Sequence, residues 1–513
     1  MPRIATYICL YLITLGLKAQ SGIQAVRGGN LVNNKQFILP VSNEIQDIHI
    51  INAAKKGVVL LINKFSKFGA SQSERVLMNL DTAFAVRWEI SFFVPLGYTL
   101  LGWDHFDEQV QLLFSRKQYR KELLSIFKID LNNGSFKEQK ISTVFPIEIK
   151  HFEALNNFIL LAGIANNKSV VVTFNKNNIP HVVPGIYGNE NEIVNVIIND
   201  QTGIFSVIME EKNRSKNSSL TVYGYTRNNQ KLFINRVVPP LGRNLLSGTT
   251  TTSNRNSRYL AGSFSEIGKK LSKGLFISKF TEDTLNFLKY YEFANFENFF
   301  EFLGLDKAEK LKERIKRKTE EGKKINLNYR VIIHEILQIE NRLILTGEVY
   351  FLKRAHFQTL TPSSSIAQIP YADSGFNHTH AFAVVFDEEG NLLWDHSWPM
   401  KDMFFLTLGK KAVFHLFANR LEVYSLEKNK IRARIFLDQK VIENQLEISI
   451  SLGVDSDKLL LENPKMESVV SWYDQFILAF GRQQILTPSN INSPYEEVFY
   501  LNKIHYVGKE DTK

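Results

Sequence analysis

The sequence predicts an all-β fold, a β-propeller of about eight four-stranded blades with seven as the alternative count, and three observations predict it. Short apolar segments with polar flanks recur along the chain at spacings near 50 residues. Most of them are followed by a second strand pair built around a polar turn. No composition break or Pro/Gly/Ser linker divides the 513 residues into separate domains.

The recurring segments are GVVLLI from Gly57, VQLLF from Val110, FILLAG from Phe158, IFSVIM from Ile204, YLAGSF from Tyr259, LILTGE from Leu343, VFHLF from Val413 and FILAFG from Phe476. Their first apolar residues lie 52, 48, 46, 55, 84, 70 and 63 positions apart. Runs this short do not make buried helices; they fit strands covered on both faces, as the second strand of a blade is. The hairpins that follow read IDLNNGSF from Ile129, FNKNNIPH from Phe174, YTRNNQKL from Tyr225, FTEDTLNF from Phe280, FDEEGNLLW from Phe386 and YSLEKNKI from Tyr424. Their Asn-Gly and Glu-Gly pairs supply the left-handed backbone of a tight turn. A further strand precedes each segment, such as IQDIHII before Gly57 or EIVNVII before Ile204, which makes four per unit. The last unit lacks an outermost strand, and QFILPV from Gln36 is spare, so the N-terminal strand is expected to close the ring. A pair of β-sandwiches would also show short strands at regular spacing, but would need a linker between them.

The first residues, MPRIATYICLYLITLGLKAQ, carry a basic Arg3, a charge-free apolar run from Ile4 to Leu17 and Ala19 at a cleavage site. They read as a signal peptide over 1–19, followed by an N-terminal extension over 20–35 and a single propeller domain over 36–513. The chain is then exported, to the periplasm or the cell exterior, and no later run is long and charge-free enough to span a membrane. Removing 1–19 takes away the single cysteine, Cys9, and lowers the net charge from +10 to +8. Disulfides, thiolate zinc sites and cysteine nucleophiles are thereby excluded from the mature chain.

The longest spacing contains LGLDKAEKLKERIKRKTEEGKKIN, a helix expected near 303–324. Leu305, Ala308, Leu311 and Ile315 recur at three and four positions, Asp306 can cap its start, Gly322 can end it, and Glu313 precedes Arg317 by four. From Asp306 to Lys324 there are nine basic and five acidic residues, so half of the mature charge is local. Lys310, Arg314, Arg317 and Lys318 are the candidate binding residues of this helix. Such a surface suits an acidic protein, a glycan or the anionic surface of a membrane. No nucleic-acid motif appears. The aromatic run YYEFANFENFFEFL from Tyr290 reads as blade core.

The sharpest cluster of chemistry-bearing residues is NHTHAFAVVFDEEGNLLWDHSW, from Asn377 to Trp398. On a strand His378 and His380 share a face, as metal ligands two apart must, with Asp395 and His396 across the following hairpin. Trp394 reads as filler of the wedge between blades, and Trp398 joins the binding candidates as an aromatic surface. There is no GxSxG elbow, P-loop or HExxH, and no cofactor is predicted.

The strings FDEEGNLLWDHSW from Phe386 and NLDTAFAVRWEI from Asn79 resemble the quinoprotein-like propeller repeat, in which a strand, a turn with Asp and Gly, and a Leu-x-Trp pattern recur. The first keeps Asp387, Gly390, Leu392 and Trp394; the second keeps Asp81 and Trp88 without the glycine. The resemblance implies the architecture, and a family holding both quinone-dependent dehydrogenases and non-enzymatic scaffolds. The vicinal disulfide common in the dehydrogenase branch is impossible in the mature chain. The signal ending in Ala-Gln and the Lys, Asn, Ile and Phe bias look like exported proteins of Bacteroidota. The expectation is a non-catalytic propeller binding an envelope protein or glycan through its loops. The alternative is an enzyme acting on a sugar or small molecule in the central channel.

Overall fold

The computed structural model describes residues 29–508 except 67–68, 119–120, 156–157, 188–190, 213–216, 252–256, 355–373, 451, 453–458, 461–464 and 487–494. The expected signal peptide and residues 20–28 of the extension lie outside the described residues. Eight antiparallel sheets follow one another along the chain. Blades 1 to 7 span 45–95, 99–142, 148–182, 192–237, 243–292, 330–405 and 413–449, each with its four strands in sequence order. Blade 8 joins 459–507 to the strand Asn30–Val41, which pairs with Tyr495–Val507 in the register Phe37↔Leu501 and Leu39↔Phe499. The ring is thus closed by the N-terminal strand, as expected.

Each sheet has a neighbour on both faces, which is why its second strand is continuously apolar: Val58, Val59, Leu60 and Leu61 are all fully buried. Each of the eight interfaces between neighbouring blades holds its own hydrophobic cluster. The blade 8 to blade 1 joint has the same construction as the rest. There Trp472 stacks near Phe84 and its indole N–H donates to the Gly57 carbonyl at 3.1 Å.

The first strands of blades 1 to 6 all carry a bulge or register shift. In blade 3 the residue opposite it on the second strand is Gly163, and a Cβ there would lie 2.0 Å from the Glu148 carbonyl oxygen. The glycine in the FILLAG segment therefore lets the bulged first strand approach its neighbour.

Blade 7 corrects one expectation. Val413–Phe417 is its first strand, the buried second strand is Arg420–Glu427, and the turn at Lys428 joins the second and third strands. Phe414 and His415 are buried, so this first strand carries the apolar signature of a second one. The Ala418-Asn419 turn after it, with Ala418 at φ +50°, has no Gly to mark it.

Because strands alternate in direction, turns between strands one and two and between three and four share one face of the ring. Connections between strands two and three and between blades share the other, the loop face. The 293–329 insertion joins blade 5 to blade 6, so its helix α1 (Leu305–Glu320) belongs to the loop face. Among the described residues the loop-face connections hold fifteen basic and eight acidic side chains, and the turns of the opposite face eleven acidic and four basic.

Candidate binding face

The insertion begins with the aromatic run. Phe293, Phe296, Phe299 and Phe300 are buried against Leu345, Phe382 and Val384 of blade 6, the core role expected of them. Helix α1 then lies on this base through Ala308, Leu311 and Ile315. Gly304, at φ +85°, is its N-cap; Asp306 falls in the first turn, where its charge favours the helix dipole, and Leu305 is 75% exposed. The apolar stripe is therefore three residues wide. Glu321 is the C-cap and Gly322, at φ +65°, follows it.

At 100° per residue, Lys307, Lys310, Arg314, Arg317 and Lys318 form one stripe beside the buried one, and Glu309, Glu313 and Glu320 form another. Lys318 is half-buried and the other four are exposed. Among the described residues none of the five basic side chains has an ion-pair partner, Glu313 included. The sequence-level candidates Lys310, Arg314, Arg317 and Lys318 are thus brought together, and Lys307 joins them.

The histidine cluster is placed differently. An irregularity at Thr379 separates His378, opposite Tyr350, from His380, opposite Val349, and breaks the alternation that would put both rings on one face. His378 lies on the face of blade 6 turned toward blade 7, with its Nδ1 2.6 Å from Oε2 of Glu348 on the second strand of the same blade. His380 turns toward the insertion and stacks on Phe302 at 3.7 Å, with burial pushing its pKa down to about 3. Among the described residues no group of three or more His, Cys, Asp or Glu side chains could hold a metal ion.

Glu348 is the centre of this region and has no signature in the sequence, sitting in LILTGE at the end of an apolar run. It is fully buried, with His334 Nε2 at 2.9 Å and the backbone N–H groups of Lys411 and Ala412 each donating at 2.7 Å. Burial alone would raise its carboxyl, but the hydrogen bonds from His334 and His378 outweigh that and hold it at about 2. Asp395 accepts the N–H groups of Glu297 and Asn298 at 2.8 Å, and burial raises it to about 6. His396 and Arg434 both reach Glu301, at 3.2 and 2.9 Å. Residues 378–398 thus bind the insertion and the 406–412 connection to blade 6. Trp398 is 6% exposed and packs edge-on against Phe414 at 5.4 Å, in the interior between blades 6 and 7. Trp394 stacks near Phe436 in the same interface, the wedge position expected of it.

A second polar group lies on the first strands of blades 2 and 3. Asp104 accepts the N–H groups of His105 and Ala154 at 2.8 and 2.6 Å, and burial raises its carboxyl to about 6. Glu153 is raised to about 7, chiefly by burial and then by repulsion from Asp104 and Asp200. Trp103, 36% exposed although on a first strand, lies 5.0 Å from His49 of blade 1. Sequence reasoning missed this group; the available signal was an ionisable residue inside each short first strand, in GWDHF and HFEAL.

No family model and no curated protein matches this chain. Solved structures do match in their chain path, at low similarity. A chain from a structural and mechanistic analysis of two prolyl endopeptidases is 10% identical, covering 87% of this chain and 54% of that one, with a TM-score of 0.36. This chain spans about half the length of that structure. The dihydro-heme d1 dehydrogenase NirN is 10% identical over 94% and 80% of the two chains, TM-score 0.39. The β-propeller domain of Vanderwaltozyma polyspora Nup133 is 11% identical over 79% and 100%, TM-score 0.34. The class of this protein, an eight-bladed β-propeller, rests on its own sheet order and ring closure.

Proposed function

We propose that this chain is an exported, non-catalytic propeller that binds an anionic protein or glycan at the cell envelope through its loop face. The observation that carries the reading is the basic stripe of α1, five cations aligned on a helix whose leading segment is anchored by buried Phe299, Phe300 and Asp395. Exposed cations without partners contribute little to stability, so their alignment favours association with an opposite charge. Affinity purification of the full chain from its native envelope, with mass spectrometry and glycan analysis, tests it. The wild type is expected to retain an anionic partner, and the variant K310E/R314E/R317E/K318E to lose it. Equal recovery with both would overturn the role of the helix.

One observation favours a second reading, an enzyme acting on a sugar or small molecule in the channel. Asp104 and Glu153, raised to about 6 and about 7, have the proton affinity a general acid needs near neutral pH. Turnover of a glycoside or quinone-linked substrate by the pure protein, abolished in Glu153→Gln, would establish it in place of the binding reading.

A further inference from the structure

Among the described residues the turn face is acidic in sum, and one concave site beside it is basic. Between blades 2 and 3 a cavity of about 450 Å³ is lined by Lys128, Lys137, Lys140 and Lys176, four side-chain amides, Ile159 and a single carboxylate, Glu138. The lysines come from separate elements: Lys128 from the third strand of blade 2, Lys137 and Lys140 from its fourth strand, and Lys176 from the third-to-fourth-strand turn of blade 3. Three independent pieces of backbone therefore bring cations to one concave site.

Lys128 and Lys137 are direct cross-strand partners. Such residues project from the same side of a sheet with Cβ atoms about 5 Å apart, and like charges placed so are destabilising. Lys128 is half-buried, and its pKa is lowered first by burial and then by the charge of Lys137. Glu138 is shared, accepting from the Ser125 hydroxyl at 2.5 Å and lying 3.7 Å from Lys140. Gln139 donates across the blade joint to Asn178, which fixes the far wall. The site thus holds three more positive than negative side chains in a walled space at the lower end of small-molecule pocket sizes, about 300–1,000 Å³.

We propose that this cavity binds a compact, multiply charged phosphoryl group, carried by a phosphate ester or present as free phosphate. A cation is repelled by the four ammonium groups, and a neutral apolar ligand finds only Ile159. A phosphoryl group accepts hydrogen bonds from ammonium and amide donors alike and offsets the repulsion between Lys128 and Lys137. The site is remote in sequence from α1 and independent of the function proposed above.

The test uses the full mature chain at low salt, titrated calorimetrically with inorganic phosphate and, separately, with glucose 6-phosphate. Binding of either supports the proposal: tighter ester binding identifies an ester as the source, tighter inorganic phosphate the free ion. Lys137→Met is expected to weaken binding at least tenfold while leaving the melting temperature of the ligand-free protein unchanged or higher, because a like-charge pair is removed. Lys176→Gln, on an exposed turn, is expected to weaken it several-fold. The helix variant K310E/R314E/R317E/K318E is expected to bind as the wild type does. No binding of either probe, undiminished binding in Lys137→Met, or loss of binding in the helix variant would overturn the assignment.

Discussion

Glu348 shows how a buried charge can be a fixing element. Its carboxylate touches first, second and third strands' worth of structure: His334 and His378 within blade 6, and the N–H groups of Lys411 and Ala412 in the next connection. Removing one member of such a group strands the others without solvent, so Glu348→Ala is expected to cost about 3–5 kcal/mol by chemical denaturation. Its pH dependence has a defined sign. The carboxyl is held at about 2 against an ordinary 4.5, so the folded state binds fewer protons between those values. Its stabilisation is complete above about pH 4.5 and is lost as the pH falls through 2. Asp104 and Glu153 act in the opposite sense. Raised from 3.8 to about 6 and from 4.5 to about 7, they favour the folded state most below their ordinary values, and that advantage is lost as the pH rises through 6 and 7. Glu153→Gln is therefore expected to raise the midpoint of denaturation at pH 8 and to leave it unchanged at pH 4. None of these residues was marked in the sequence. A carboxylate acquires its character from partners on other strands, and Glu348 and His334 are fourteen positions apart with a bulge between.

At the scale of the element, the blades were legible because burial on both faces leaves a long apolar signature, and the hairpins because Asn-Gly turns are chemically specific. Blade 7 escaped because its first strand is as buried as a second strand and its first turn uses Ala418 where a glycine would have marked it. The helix was legible from periodicity, but its attachment was not: Phe299 and Phe302 reach His380, and Asp395 holds Glu297 and Asn298 across about a hundred residues of chain. Phe299→Ala is expected to cost about 3–5 kcal/mol, and to speed amide exchange in the insertion before it does so in blades 1 to 4. Gly163→Ala, which would place a methyl group against the Glu148 carbonyl, is expected to cost about 1–3 kcal/mol. Asp81 and Asp387 illustrate a local rule repeated at distance. Each opens a third-to-fourth-strand turn by accepting backbone N–H bonds, and each is followed seven residues later by a tryptophan that packs toward the next blade.

At the scale of the whole molecule, a ring of eight equivalent interfaces has no free sheet face, and its integrity depends on the joint made by residues from both ends of the chain. Deleting 29–41 would expose the Tyr495–Val507 edge and uncover Leu501 and Phe499. Such a variant is expected to lose cooperative thermal unfolding and to elute as aggregates on size-exclusion chromatography, whereas a ring indifferent to closure would remain monomeric. Among the described residues the two faces also differ in sign, basic on the loop face and acidic on the turn face, an asymmetry that would give the molecule a preferred orientation at a charged surface.

The closing strand sets a timetable. Asn30–Val41 and its partner Tyr495–Val507 lie more than four hundred residues apart, and all of that intervening chain must be made before the two can meet. Throughout that interval Phe37 and Leu39 lack their cross-strand partners Leu501 and Phe499, and the first blade lacks one side of its packing. Completion is a late, long-range step with a large loop-closure cost, the kind that makes folding slow and intermediates prone to association. A ring built in this way has its most vulnerable moment just before it closes, and its closing strand has the longest wait.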